Sequence, residues 1–539
     1  MLKISNTEKT QLDLLIKAGQ VYDGRGSEPF IADIGIKNSL IVFVSKKTKE
    51  SFRSKKVISA KGFSVSPGFI DTHSHSEFTL LSDPRAEGKL YQGITTEING
   101  NCGLSAGPLL GDAFKQRQSE LKELGIKERW ADLEQYLSML EKTGLAINFV
   151  TLVGHGNLRA SVMGYEDRKP KPKEMRAMKK LLEGSLKAGA IGLSTGLIYP
   201  PGVYSDTDEI AELVRSGKTY HPFIYTSHMR SEGNRLIEAI QEVIDIGENR
   251  TKVHISHIKT AGKKNWHKSA LAISLLDKAR AKGISLTCDR YPYIAGETDL
   301  DSILPSWALE GGNGKVLKRL KNPEIKRKIR NEILSEHPDT QYYQAVRVST
   351  TASEKNKWME GKSLADIAKK LRMEAVDCLF YILINERLRA GGIFYSMSEE
   401  NLRRFLKLPF CMLGSDSSAR STNSTTHKGK VHPRGFGTFP RFLRRYVNEL
   451  RLMSMPEAIH KLTMLPAKTF GLKKRGQITE GFRADIVVFD ENKISDRATF
   501  DEPYKKAEGI LHVIVNGVPV LDDRLMTGEM PGRVLRHGA

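Results

Sequence analysis

The sequence predicts an α/β protein: a TIM-type (β/α)₈ barrel, a small β-sandwich domain formed from both termini, and an insertion between barrel strands 7 and 8. Three observations predict this fold class. Both ends of the chain alternate apolar and polar residues in short runs, as β-hairpins do. The middle of the chain alternates short apolar runs with amphipathic helical segments. Polar residues end most of these runs, and a parallel barrel has its active site at the carboxyl ends of its strands.

The terminal segments have the pattern of short strands separated by turns. This pattern covers residues 10–66 and returns over residues 476–525. We therefore assign residues 1–66 and 466–539 to the two parts of one β domain. Residues 67–465 remain for the barrel.

Eight apolar runs in the middle of the chain are the strand candidates of the barrel. Most are followed by an amphipathic helical segment. The gap between the seventh and eighth runs is too long for one helix, so we expect an inserted subdomain around residues 300–355. The eight runs are 68–75, 95–102, 147–156, 189–197, 223–230, 252–259, 285–293 and 410–417.

Composition narrows the classes of protein. The 539 residues are 39% hydrophobic and 27% charged, which is typical of a globular protein with more than one domain. We find neither an apolar stretch of about 18 residues nor a secretory signal, and we expect no membrane partner. Four cysteines in so long a chain do not form a disulfide framework, so we expect a cytoplasmic protein.

The net charge of +21 raises the question of nucleic-acid binding. Much of the basic charge lies in lysine-rich helical stretches such as residues 315–330, and no nucleic-acid-binding motif accompanies it. We therefore expect no specific nucleic-acid partner. The oligomeric state stays open.

The first two runs end in residues that can bind a metal ion. His73 and His75 end the first run, and residues two apart in a strand face the same side, so both imidazoles can share one metal ion. Cys102 ends the second run, and a thiolate is a strong zinc ligand. The flanking Gly100 and Gly103 indicate a tight turn, which favours a ligand over a buried core cysteine.

Two further histidines complete a zinc-binding set. His228 ends the fifth run and His257 ends the sixth. Each alone could be a core histidine, but with Cys102 they form a set of three ligands that leaves room for a water, as in catalytic zinc sites. His254 faces the other way in its strand, and we interpret it as structural. The cysteines that we interpret as buried apolar residues are Cys288, Cys378 and Cys411.

Asp416 ends the eighth run in the sequence GSD. An aspartate beside a metal can take a proton from an attacking water and pass it to the leaving group. The alternative is an aspartate that only forms a turn. Because the other runs supply five candidate ligands, we favour the general acid/base.

With these residues assembled, the chain resembles the amidohydrolase superfamily, and within it the D-aminoacylase (N-acyl-D-amino-acid deacylase) family. The resemblance extends over nearly the whole chain. The matching segments are PGFIDTHSHSE (67–77), GITTEINGNCG (93–103), GLSTGLIYPPGVYS (192–205), SHMRSEG (227–233), ISHIK (255–259), DRYPYIAGETDLDSILPSW (289–307), GSD (414–416) and HPRGFGTFPR (432–441).

The resemblance implies a zinc-dependent hydrolase that releases a D-amino acid and a carboxylate from an N-acyl-D-amino acid. The D configuration comes from the resemblance alone. The implied roles are a tightly bound zinc on Cys102, His228 and His257, a second and weaker metal position on His73 and His75 with Cys102 bridging, Asp416 as general acid/base, Lys259, Tyr291 and Arg434 around the substrate carboxylate, and Tyr199 lining the pocket.

Two departures from the family pattern stand out. Glu297 takes a position where the family commonly has a small hydroxyl residue, and we hypothesise that it selects against acidic substrates or for basic ones. The segment 417–430 is longer and more polar than usual, which is compatible with a mobile lid.

Three alternatives compete with this function. Cyclic-amide hydrolases of the dihydroorotase or hydantoinase kind usually bridge two metals with a carboxylated lysine on the fourth strand, and the fourth run has no lysine. An amidohydrolase acting on D-dipeptides stays open. A non-catalytic scaffold should lack the ligands that this chain retains.

Overall fold

The structure of the protein is a computed structural model that describes residues 11–46, 52–220, 222–247 and 250–536. Parts of the predicted β domain, at 1–10, 47–51 and 537–539, lie outside the described residues. Within these ranges no helix is both long and apolar enough to cross a membrane.

The strands, in chain order, are β1 (Leu12–Val21), β2 (Phe30–Lys37), β3 (Leu40–Ser45), β4 (Ser54–Ser59), β5 (Ser64–Pro67), β6 (Phe69–Asp71), β7 (Ile94–Asn99), β8 (Asn148–Thr151), β9 (Val153–Gly154), β10 (Gly192–Gly196), β11 (Ile224–His228), β12 (Lys252–Ile255), β13 (Leu286–Arg290), β14 (Ala295–Asp299), β15 (Val346–Thr350), β16 (Gly391–Tyr395), β17 (Cys411–Leu413), β18 (Ile486–Phe489), β19 (Ile510–Val515), β20 (Val518–Asp522) and β21 (Leu525–Met526).

The α-helices are α1 (Glu77–Ser82), α2 (Glu87–Leu90), α3 (Gly111–Glu123), α4 (Leu133–Thr143), α5 (His155–Met163), α6 (Pro172–Lys187), α7 (Thr207–Gly217), α8 (Leu236–Gly247), α9 (Ser269–Ala281), α10 (Asn313–Lys321), α11 (Pro323–Glu336), α12 (Thr340–Gln344), α13 (Leu364–Leu371), α14 (Ala375–Asn385), α15 (Glu399–Lys407), α16 (Arg434–Arg441), α17 (Met455–Leu462) and α18 (Met464–Thr469).

The two ends of the chain share one hydrogen-bonded sheet. Its strand order is β21-β20-β19-β18-β5-β1-β2-β3, and β4 pairs with β1. The ends meet where β18 runs antiparallel to β5, with Ile486 opposite Pro67 and Phe489 opposite Ser64. Alternation along these strands buries Ile486 and Val488 in one apolar cluster with residues of the amino-terminal strands.

Each of the eight predicted runs contains a strand, and these strands pair in parallel. They form a sheet of order β6-β7-β8 and a sheet of order β9-β10-β11-β12-β13-β17. Only Leu152 separates β8 from β9. At the other edges, the backbone N–H of Thr72 donates to the carbonyl of Leu413 at 3.3 Å, and Ser74 and Ser417 form a parallel bridge.

Amphipathic helices follow these strands because their apolar residues recur at helical spacing. In α8 the residues Leu236, Ile240, Val243 and Ile244 are buried, which places them on one face toward the strands. Helix α6 begins with Pro172, whose fixed φ suits the first helical turn. The strands are therefore covered by helices, as parallel sheets require.

The segment between β13 and β17 forms a further unit. Strands β14, β16 and β15 make an antiparallel sheet, and α10, α11, α13 and α14 enclose an apolar cluster of their own. The insertion was expected at about 300–355. Strand β16 extends the unit to Tyr395, because its pairing with both β14 and β15 ties residues beyond 355 to those before 300.

Candidate metal centre and substrate cavity

The two histidines after β6 lie beside Cys102 and Asp416. The Nε2 atom of His73 is 3.2 Å from the sulfur of Cys102. One carboxylate oxygen of Asp416 lies 3.6 Å from Nε2 of His73 and 3.3 Å from Nε2 of His75. Ligand atoms of these four residues all lie within 4.8 Å of one another, a group that can hold a metal ion.

A second group of ligand atoms shares Cys102. Its sulfur lies 3.5 Å from Nδ1 of His228, which ends β11, and 3.5 Å from Nε2 of His257, which follows β12. Ligand atoms of the three residues also lie within 4.8 Å of one another. Cys102 therefore stands between the two predicted metal positions.

The turn that presents Cys102 depends on its glycines. Gly100, Cys102 and Gly103 all have positive φ, at 75°, 53° and 72°. A β-carbon at Gly100 would lie 2.2 Å from the carbonyl oxygen of Leu152, and one at Gly103 would lie 2.6 Å from the backbone nitrogen of Gly196. Only glycine fits so close to the neighbouring strands, and the turn thereby directs the sulfur into the site.

The chemistry of these donors suits zinc. Burial alone would raise the pKa of the Cys102 thiol, but the imidazoles of His73, His228 and His257 lower it well below its ordinary value. A thiolate with two imidazoles is a donor set that zinc prefers. The buried Nε2 of His228 makes no hydrogen bond within the described ranges, and Nδ1, its other ring nitrogen, faces the sulfur. The residues present therefore fit a zinc ion.

Two carboxylates that the sequence analysis did not single out orient these ligands. An oxygen of Glu232 lies 2.9 Å from Nδ1 of His257. Asp289 accepts a hydrogen bond of 2.6 Å from the backbone N–H of His257, and its other oxygen lies 3.5 Å from Nδ1 of His73. Such outer carboxylates fix ring orientation in metal sites. The available signals were the place of Glu232 four residues after His228 and the place of Asp289 near the end of β13.

His254 has a different environment from the other strand-end histidines. Its Nε2 lies 2.8 Å from Asp289 and its Nδ1 lies 2.9 Å from the hydroxyl of Thr287. It belongs to neither ligand group. Its place under the site is that of a packed, hydrogen-bonded side chain.

The four cysteines are free and buried.

Asp416 follows β17 in a left-handed conformation, with φ of 51°. Its backbone N–H donates to the carbonyl of His73 at 2.7 Å, and its second carboxylate oxygen lies 2.8 Å from Nη1 of Arg434. Burial alone would raise the pKa of Asp416, but Arg434 and then His257 lower it well below its ordinary value. The carboxylate is thus held in its charged form at the edge of the first ligand group.

The four residues predicted around the substrate lie on the same side as the ligands. Tyr199 packs edge-on to His228 with 5.0 Å between ring centroids. The guanidinium of Arg434 lies 4.8 Å above the ring of Tyr291, and the amine of Lys259 lies 5.9 Å from that ring. Lys259 and Arg434 lower the pKa of Tyr291 against the effect of burial, which raises it. Each cation is paired with a carboxylate, Lys259 with Glu232 and Arg434 with Asp416, and the two form a cationic corner that faces the metal ligands.

One cavity of about 590 Å³ joins these groups. The predicted site residues that line it are His75, Cys102, Tyr199, His228, His257, Lys259, Tyr291, Asp416 and Arg434. His73 lies below the cavity floor, with no exposed surface. This size is within the usual range for small-molecule sites.

The two departures from the family pattern also have defined places. Glu297 lines the cavity, and its carboxylate accepts a hydrogen bond of 3.2 Å from the backbone N–H of His432. In the segment 417–430, His427 stacks on Tyr504 at 4.0 Å, and the hydroxyl of Tyr504 donates to the carbonyl of Lys428 at 2.7 Å. These contacts tie the segment to the region before β19.

Parallel strands that end in candidate cysteine and histidine metal ligands are typical of metal-dependent hydrolases, and comparison with known proteins agrees. The sequence matches the amidohydrolase family over residues 56–222 and 339–521. It is 35% identical to the N-acyl-D-glutamate deacylase of Alcaligenes xylosoxydans xylosoxydans over 98% of this chain and 97% of that protein. The chain belongs to the amidohydrolase family and, within it, to the D-aminoacylases.

Solved structures give the same relationship. The N-acyl-D-glutamate deacylase of Bordetella bronchiseptica, complexed with zinc and a phosphonate mimic of the tetrahedral intermediate, superposes with a TM-score of 0.83 at 32% identity, covering 98% of this chain and all of that one. A D-aminoacylase with a binuclear metal centre, activated by one metal and attenuated by the second, gives a TM-score of 0.81 at 33% identity, covering 97% and 100%.

Proposed function

We propose that this chain hydrolyses the amide bond of N-acyl-D-amino acids with the help of zinc, releasing a D-amino acid and a carboxylate. The observation that carries the proposal is the position of Cys102, whose sulfur lies within 3.5 Å of ring nitrogens of His73, His228 and His257. The cationic corner formed by Lys259 and Arg434 opens into the same cavity. The substrates named for the full-length relatives support the choice of linear N-acyl-D-amino acids.

The proposed site has two metal positions. Cys102, His228 and His257 would hold the tightly bound zinc, and His73 and His75, with Cys102 bridging, would hold a second and weaker metal. When bound, zinc supplies a Lewis acid that polarises the scissile carbonyl and lowers the pKa of the attacking water to about 7. Glu232 and Asp289 hold the rings of the ligands in place.

The remaining residues position the substrate and move its proton. Asp416 accepts the proton of the attacking water and gives it to the amine nitrogen as the amide bond breaks. Arg434, Lys259 and Tyr291 bind the carboxylate of the amino acid, which holds the amide over the ligand groups. Tyr199 closes the cavity beside His228.

The fold that we propose around this site is a closed eight-stranded barrel over residues 67–465, with a β-sandwich domain from residues 1–66 and 466–539. Closure is supported by the hydrogen bond from Thr72 to Leu413. It is also supported by one apolar cluster that the strands share, to which Ile70, Ile98, Val150, Leu152, Ile191, Ile224 and Met412 contribute. A cytoplasmic location is supported by the four free cysteines.

A cyclic-amide hydrolase is the competing assignment. In this chain the strand of the fourth run, β10, has the sequence GLSTG, without the lysine that the dihydroorotase and hydantoinase kind use. The sulfur of Cys102 lies between the ligand groups instead. These two features support a linear amide as the substrate.

The test is a panel of N-acetyl-D- and N-acetyl-L-amino acids assayed with added zinc, with hydantoin, dihydroorotate and a D-dipeptide beside them. We expect hydrolysis of N-acetyl-D-amino acids and no hydrolysis of the L series. Turnover of hydantoin or dihydroorotate alone would assign the chain to the cyclic-amide hydrolases. Turnover of the dipeptide alone would assign it to the D-dipeptidases.

A further inference from the structure

A buried lysine that the mechanism does not use lies directly beneath the site. Lys89 is in helix α2, just before β7, and has no exposed surface. Its ammonium group donates to Asp71 at 2.7 Å and lies 3.0 Å from a carboxylate oxygen of Glu97. Both carboxylates are themselves fully buried. One cation therefore balances two buried anions between the first two parallel strands.

The other contacts of Lys89 reach the neighbours of the proposed catalytic groups. Its ammonium donates to the hydroxyl of Ser74 at 3.0 Å, and Ser74 stands between His73 and His75 in the chain. Its nitrogen also lies 2.8 Å from the hydroxyl of Ser415 and 3.0 Å from the carbonyl oxygen of Ser417, so three N–H groups are shared among five acceptors. Ser415 and Ser417 are the residues on either side of Asp416.

Asp71 reinforces the same link across the sheet edges. One of its oxygens accepts hydrogen bonds from the backbone N–H groups of Ser415, at 2.7 Å, and His73, at 3.2 Å. The other accepts from the hydroxyls of Ser74 and Ser415 and from Lys89. The turn after β6 and the turn after β17 are thus joined through one buried ion pair.

An ammonium in this place is fixed by electrostatics. Burial alone would lower the pKa of Lys89, but Asp71 and Glu97 raise it above its ordinary value. Removing the charge would leave two buried carboxylates without a cation, which is costly. The surrounding hydroxyls and carbonyl would then lose their common donor.

We propose that Lys89 is a positioning residue for the reaction: through Ser74, Ser415 and Ser417 it holds Asp416 in register with His73 and His75. This role rests on the proposed function of Asp416. A shift of about 1 Å in a reacting group can lower a rate by about two orders of magnitude. The loss of Lys89 should therefore act on the chemical step, while Cys102, His228 and His257 keep their places.

The experiment compares Lys89→Met with Lys461→Met in the full chain. Lys461 is a matched control, because it is 6% exposed and donates to the carbonyls of Leu406 and Leu408, before β17 and away from Asp416. For both variants we measure bound zinc, thermal unfolding, kcat and KM with an N-acetyl-D-amino acid. Ser415→Ala is the second variant, since it removes one contact of Lys89 and leaves every charge in place.

For Lys89→Met we expect kcat to fall about 10- to 100-fold, as is typical when an outer-shell residue of a metal site is changed. KM and the tightly bound zinc should stay near the wild-type values, and Lys461→Met should retain its kcat. Ser415→Ala should show a smaller fall in kcat of the same kind, and it decides the question if Lys89→Met does not fold.

Two results would overturn the role of Lys89. The first is a folded Lys89→Met variant, or a Ser415→Ala variant in its absence, with the wild-type kcat. The second is an equal loss of kcat and zinc in Lys89→Met and Lys461→Met. A wild-type protein that binds zinc but hydrolyses no N-acetyl-D-amino acid would instead contradict the proposed function, so the two failures are distinguishable.

Discussion

Replacing Arg434 by lysine should weaken the binding of the substrate carboxylate and leave the rest of the site intact. Arg434 is 4% exposed. Its Nη1 forms the ion pair with Asp416 and its Nη2 donates to the carbonyl of Glu297 at 3.3 Å. Its Nε and Nη1 are buried and make no hydrogen bond in the part of the chain that the structure describes, and the residue lines the cavity.

The magnitude follows from the loss of one guanidinium donor to the substrate. Lysine keeps the positive charge for Asp416, but it has no counterpart to the guanidinium fork, so one charged hydrogen bond to the substrate is lost. Such a bond contributes about 1.5–3 kcal/mol. At about 1.36 kcal/mol for each factor of ten, KM should rise roughly 10- to 150-fold.

The assay compares two substrates for the wild type and the Arg434→Lys variant: an N-acetyl-D-amino acid and its carboxamide, which lacks the anion. The variant should lose kcat/KM with the acid and change little with the carboxamide. If both substrates lose the same factor, Arg434 does not bind the carboxylate and acts through Asp416 instead. Bound zinc is measured in parallel, because the two proteins can be compared only if both keep their metal site intact.

Three further changes test the other parts of the site. Cys102→Ser should lose zinc on dialysis and stay inactive after zinc is restored. Its affinity for zinc should fall by more than the roughly 10- to 100-fold loss seen when outer-shell residues are changed. Retained metal would mean that the sulfur is not a ligand. Asp416→Asn should keep its zinc and lower kcat by about 10²- to 10⁴-fold, whereas an unchanged kcat would remove the aspartate from the mechanism. Glu297→Ser should raise kcat/KM for acidic relative to basic substrates by up to about fivefold, the usual range for a partly exposed charge. An unchanged ranking of substrates would show that Glu297 does not select between them.

Much of the fold was visible in local patterns. All eight apolar runs contain parallel strands, because burial on both faces requires short, continuous apolar segments between helices. The extent of the insertion was not visible in the same way. Strand β16 pairs with β14 across more than 90 residues of chain, and a local pattern holds no information on such a partner.

The candidate site was likewise only partly visible in local sequence patterns. His73, His75, Cys102 and Asp416 stood out because each ends an apolar run, and the structure places them in one group. Lys89 did not stand out. It is one lysine in a basic chain, and only its burial among Asp71, Glu97 and three serines marks it as different.

The sequence by itself determined which residue types stand at the strand ends and, through the two-residue period of a strand, which of them share a face. The tertiary structure alone decided that Arg434 pairs with Asp416 and that one buried ammonium joins the turns after the first and last parallel strands. The physical reason is that local periodicity fixes the direction of a side chain, whereas distances between residues hundreds of positions apart depend on how the strands pair and how the helices pack around them.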